Sequence, residues 1–251
     1  MVLLHDRPIP INHLALIALL FAVASVVSYQ SGLDLWVSEH IYHWEGGNGG
    51  GFPLYDNYWT SNFMHDGGRM LVRRITYIVL LLAICSHFVA RLQPSRGAFW
   101  YLLLAGFSSA ALVSSFKNST TLPCPMSLQM FGGDRPWVDF WQIYSSSLPL
   151  GRCYPAGHAS GGYAWLCLAF VFPFRSRAFY LALLPPALLG LAFGVGQELR
   201  GAHFISHDLM TIGVCWLCGG LIYRLLRWGM LRNVAQFSPA QTSPQQASLT
   251  K

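Results

Sequence analysis

The chain has 251 residues, of which 53% are hydrophobic and only 10% charged, and its mean hydropathy is +0.40. Soluble domains carry about 25% charged residues, so a soluble globular protein is excluded and an integral membrane protein is expected. The formal net charge of +6 comes from scattered arginines, with no long basic run, and makes no case for a nucleic acid partner.

The first apolar run, His13 to Tyr29, has no small-residue cleavage site after it and reads as a retained helix. Gln30 to Met70 carries Trp36, Trp44, Trp59, Tyr42, Tyr55 and Tyr58 around the flexible stretch Gly46 to Gly51. This mixture suits a loop or short amphipathic helix at the headgroup level, either roofing a site or serving only as an aromatic belt. Further apolar runs follow at Ile75 to Ala90, Phe99 to Ser115, Ala159 to Phe172, Ala178 to Gly194 and Leu209 to Leu226. A membrane-crossing helix needs about 20 residues, which Ala159 to Phe172 approaches only by starting near Gly157 and running through Phe174. The expected fold is an all-α membrane protein: six transmembrane helices within residues 1–233, with an extracytoplasmic cap. Residues 234–251, rich in Ser, Gln, Thr and Pro, are expected to be a disordered cytoplasmic tail.

Arginines set the orientation. Arg91 and Arg96, Arg175 and Arg177, and Arg224, Arg227 and Arg232 all flank the same side, which places both termini in the cytoplasm. Arg69, Arg73 and Arg74 break this pattern on the outer side, as interfacial anchors or as ligands for an anionic substrate. Four cysteines, Cys85, Cys167, Cys215 and Cys218, fall in spans and read as packing residues. Cys124 and Cys153 lie outside the spans, where an oxidising compartment would allow them to pair.

Three short stretches concentrate the chemistry at matching ends of the spans. Lys117 is followed at six residues' spacing by Cys124 and Pro125. Pro155, Ala156, Gly157 and His158 open the fourth span, so His158 and the preceding amides, Gly157 included, are placed at a helix N-terminus suited to an anion. Arg200, His203, His207 and Asp208 open the sixth, with the two histidines four apart and on one face if the turn is helical.

In this order and spacing the stretches resemble the type 2 phosphatidic acid phosphatase family, whose signatures are K-x6-R-P, P-S-G-H and S-R-x5-H-x3-D. The resemblance covers roughly Lys117 to Asp208. It departs at Cys124, where the family has arginine, at Ala156, where it has serine, at Gln197, in the second arginine position, and at His207, in the aspartate position. The resemblance implies His203 as the nucleophile, His158 as the acid for the leaving group and Lys117 as neutraliser of the transferring oxygens. Histidine suits both roles near neutral pH, and phosphoryl transfer depends chiefly on positioning and charge. His207 is expected to orient His203, with Asp208, or Glu198, as the competing candidate. Arg200 is expected to supply the missing guanidinium, with Arg135 and Arg152 as weaker candidates. Converging motifs would bring Cys124 and Cys153 together as a disulfide.

The expected activity is phosphate removal from a lipid phosphate or diphosphate at a bacterial inner membrane, with the site facing the periplasm and no cofactor. Candidate substrates are polyprenyl diphosphate, phosphatidylglycerol phosphate, phosphatidic acid and lipid A phosphates; a lipid phosphotransferase would use the same residues. Two rival readings are a metal site of His158, His203 and His207, and a transporter.

Overall fold

A computed structural model describes residues 7–237, and no strand occurs among them. Helix α1 is Ile11–Gln30 and α2 is Leu33–Trp44. A π-helical stretch, Tyr58–Gly67, runs directly into α3, Gly68–Cys85. Helix α4 is Arg96–Ser119; the short α5, Ser160–Tyr163, continues as a 3-10 helix, Ala164–Val171. Helix α6 is Arg177–Glu198 and α7 is Ile205–Phe237. Helix α7 thus runs past Asn233; the remainder of the expected tail, 238–251, lies outside the described residues.

Four helical stretches, Ile11–Gln30, Gln93–Ser119, Arg177–Glu198 and Ile205–Leu231, are long and apolar enough to cross a membrane. The other two expected spans differ. Helix α3 starts before Ile75, taking in Arg69, Arg73 and Arg74, and stops at Cys85 short of Ala90, so charge occupies its first turns. Ser160–Val171 is a shorter apolar helix. Its 3-10 half stretches it to about 22 Å, below the roughly 30 Å of hydrocarbon.

Helix α7 is the axis of the bundle, packed by α1, α4 and the 3-10 segment, while α6 covers the 3-10 segment and α3 lies against α4. Leu14, Tyr101, Phe170, Trp216 and Tyr223 form the core between them. The Tyr101 hydroxyl lies 3.1 Å from both the Cys167 and Gly219 carbonyls, bridging the 3-10 segment to α7. Close crossing of α5 and α6 depends on glycine: a Cβ on Gly162 would stand 2.2 Å from the Gly190 nitrogen. Outward faces carry exposed Leu19, Leu20, Leu81, Phe107, Leu188 and Leu225, an apolar sheath that a bilayer would cover.

A second core, built from Tyr42, Phe52, Leu122, Phe131, Phe140 and Phe204, joins the segment after α2 to the long connection between α4 and α5. Asp34, in the first turn of α2, ties this layer to the start of α7. Its Oδ1 accepts the Ser28 hydroxyl at 2.6 Å and the Ser206 N–H at 3.1 Å. The carboxylate therefore meets an otherwise orphan amide at the positive end of a helix dipole. The Ser25 hydroxyl donates to the Ser206 carbonyl at 2.7 Å and lies 2.9 Å from the Tyr154 hydroxyl. Asp34→Ala strands two buried donors and is expected to lower unfolding stability by about 1–3 kcal/mol. Thermal unfolding in detergent checks this, and a wild-type midpoint would show that α7 is held by other contacts.

Candidate active site

The three chemistry-bearing stretches come from different elements. Lys117 lies in the last turn of α4, Gly157 and His158 in the turn before α5, and His203 in the link between α6 and α7. All four line one cavity of about 560 Å³. The Lys117 side chain lies over the Gly157 turn: a Cβ built on Gly157 would stand in ordinary contact, 3.5 Å from the ammonium nitrogen. Helix α5 is only one turn long, so the expected helix N-terminus reduces to a turn.

His203 is 4% exposed and precedes α7, which starts at Ile205, yet the expected histidine pair forms: the two Nδ1 atoms lie 3.3 Å apart. Nδ1 being engaged, Nε2 is the nitrogen of His203 left to meet a ligand. Burial first, then His207 and Lys117, hold the His203 imidazole well below its ordinary value of 6.5, so it is neutral at pH 7. His158 is lowered to about 4, again by burial first and then by His65 and Arg69. Its ring stacks on His65 at 4.7 Å between centroids.

The other expected residues do not line the cavity. Arg200 is buried; its Nε donates to the Tyr55 carbonyl at 2.9 Å and its guanidinium lies over the Tyr55 ring. It does not line the cavity and fastens the end of α6 to the segment before the π-helix. Arg135 donates to the Leu150 carbonyl at 2.9 Å, Arg152 is exposed, and neither lines the cavity. Asp208 is buried against α6: a Cβ on Gly194 would stand 1.8 Å from its Oδ2. His207, behind His203, does not reach the cavity. Cys153, His203 and His207 bring ligand atoms within 4.8 Å of one another, but the Cys153 sulfur is bonded to Cys124 and has no thiolate to offer a metal. His158 is outside that trio.

In place of Arg200, the cavity has His65, Arg69 and Arg73. Sequence reasoning held Arg69 and Arg73 open and missed His65. The signal was there: the three positions recur every fourth residue, a stripe on one helical face, on the side where arginines are unexpected.

The profile of the PAP2 superfamily matches residues 98–230, more than half of the chain. The chain belongs to the PAP2 superfamily. Members of the PAP2 superfamily are phosphatases acting on phosphoric esters. Searches of curated proteins and of solved structures returned no match. In this PAP2 chain the two signature arginine positions are Gln197, which lines the cavity, and Cys124, which is joined to Cys153 with 5.4 Å between Cα atoms.

The disulfide ties the connection after Lys117 to the turn before His158. Closing a loop with a sequence separation of 29 contributes on the order of 3 to 4 kcal/mol. Cys124→Ser and Cys153→Ser are expected to lose the same stability, and the double variant no more than either alone. Unequal losses would mean that one sulfur matters for a contact other than the bond.

Proposed function

We propose that this protein is an integral membrane lipid phosphatase acting through a phosphohistidine. What carries the reading is the convergence of Lys117, His158 and His203, from three separate elements, on one cavity. His203 Nε2 attacks phosphorus, forming the N–P bond as the bond to the leaving oxygen breaks. His158 gives that oxygen its proton, and Lys117 with the turn at Gly157 neutralises the equatorial oxygens. Water then attacks the phosphohistidine, losing its proton to His158, and phosphate leaves. His207 holds the Nδ1 side of His203.

The lipid part of the reading is supported beside the cavity. Phe193 is shared with an apolar groove of about 330 Å³ lined by Phe63, Met64, Leu71 and Ala192. A headgroup in the cavity would thus lead its hydrocarbon chain out between the π-helix, α3 and α6, toward the apolar sheath. Six membrane segments with both termini cytoplasmic, α3 and Ser160–Val171 completing the four long ones, would turn the site to the periplasm of a bacterial inner membrane. The substrate classes are polyprenyl diphosphate, phosphatidylglycerol phosphate, phosphatidic acid and lipid A phosphates.

The test is purified protein in detergent with each of these lipids, scored for released phosphate and for phosphate moved to an added lipid alcohol. Release from at least one supports hydrolysis. Transfer without release assigns a phosphotransferase, in which the lipid alcohol replaces water in the second step. Neither, in protein that unfolds cooperatively, overturns the reading.

A further inference from the structure

Resting on that reading, we infer that Arg69 and Arg73 are the guanidinium clamp on the substrate phosphoryl group. They stand in for the arginines that the signatures have at the positions of Cys124 and Gln197. Both lie in the first turns of α3, before the stretch matched by the superfamily profile begins at residue 98.

Arg69 and Arg73 line the same cavity as Lys117, His158 and His203. They are four residues apart in a helix and therefore on one face, where like charges repel by a few tenths of a kcal/mol. Among the described residues, neither arginine, nor Lys117, has a carboxylate within 4.0 Å; the carboxylate nearby, Asp66, lies 3.0 Å from the His65 Nδ1. Three cations converge on one open space without an internal counterion. An anion placed among them satisfies all three, and guanidinium forks match phosphate oxygens as a lysine cannot.

An interfacial anchor would be a different arrangement, with the side chain turned to headgroups along the lipid face. Arg74, one residue on and about 100° around the helix, does not line the cavity and serves as the contrast. Arg200, the remaining candidate near His203, is already committed to the Tyr55 carbonyl and ring. The sequence thus moves the guanidinium function from the last turn of α6 and the connection after α4 to α3, where Gly68 allows close approach. A Cβ on Gly68 would stand 2.6 Å from the Phe193 ring, so the glycine sets the arginine-bearing turn against α6.

Arg69→Ala and Arg73→Ala are to be assayed for phosphate release and for vanadate inhibition, with Arg74→Ala alongside. Each arginine loss in the cavity is expected to lower kcat/KM about 10²-fold and to raise the half-inhibitory vanadate concentration roughly tenfold or more. Arg74→Ala should leave both unchanged. Lysine at either position should recover only part of the loss, and added guanidinium ion should partly rescue the alanine variants. A purely structural role would show no such rescue. Should an alanine variant fail to fold, the lysine variant carries the same comparison. Protection from thermal unfolding by vanadate reads the clamp without turnover. Absence of lipid hydrolysis with protection that depends on Arg69 and Arg73 would overturn the lipid substrate and keep the clamp. Hydrolysis with wild-type vanadate response in both variants overturns the clamp alone.

Discussion

His203→Ala is expected to reduce phosphate release by roughly 10⁴-fold or more, because the nucleophile and the covalent route go together. Wild-type protein quenched in acid-free conditions after mixing with labelled lipid phosphate should carry acid-labile phosphate, and the variant none. The geometry makes this a specific claim. His203 is buried, faces the cavity and has Nδ1 held at 3.3 Å from His207, so its free nitrogen is fixed in direction. His207→Asp should preserve much of the activity, since a carboxylate can accept the same N–H, while His207→Ala should lose most of it. Near-normal turnover in His203→Ala would remove the phosphohistidine mechanism altogether.

His158→Ala is expected to lower turnover by about 10²–10⁴-fold for lipids with an ordinary alcohol leaving group, and far less for an aryl phosphate whose leaving group needs no proton. Equal losses on both substrates would assign His158 to binding. Its lowered value adds a pH signature. In the free protein the imidazole, near 4, is neutral at pH 7, so under the proposed mechanism the proton that it passes to the leaving oxygen has to arrive with a monoanionic phosphate. Activity on a phosphomonoester should therefore fall as pH rises past about 6, where a phosphate ester loses its second proton. For stability the sign is opposite. Because the folded value lies below 6.5, the unfolded chain takes up a proton first, and stability is lost as pH falls from 6.5 toward 4. Thermal midpoints across that window should drop less in His158→Ala than in the wild type.

Membrane character, the helical class and the identity of Lys117, His158 and His203 as one constellation were all readable along the chain. Hydropathy is a sum over neighbours in sequence, and signature spacing is itself a local property. Arg200 shows the limit. Three residues before His203 it looked like the nearest guanidinium, but chain distance says nothing of where a long side chain is satisfied, and Tyr55, from a remote segment, captures it. Asp208 shows the same limit, since its direction depends on α6 packing at Gly194. Cys124 and Cys153 could be paired on paper because the motifs flanking them had to converge. Arg69 and Arg73 were legible only as exceptions to a charge rule. Their facing toward Lys117 needed α3 to start seven residues before the apolar run and to dock at Gly68 on the Phe193 ring, a contact between residues more than 100 apart in the chain. Composition and spacing specify which groups a membrane phosphatase carries; close contacts at Gly68 and Gly162 bring the elements that carry those groups to one depth, and such contacts are made across space, where no local pattern records them.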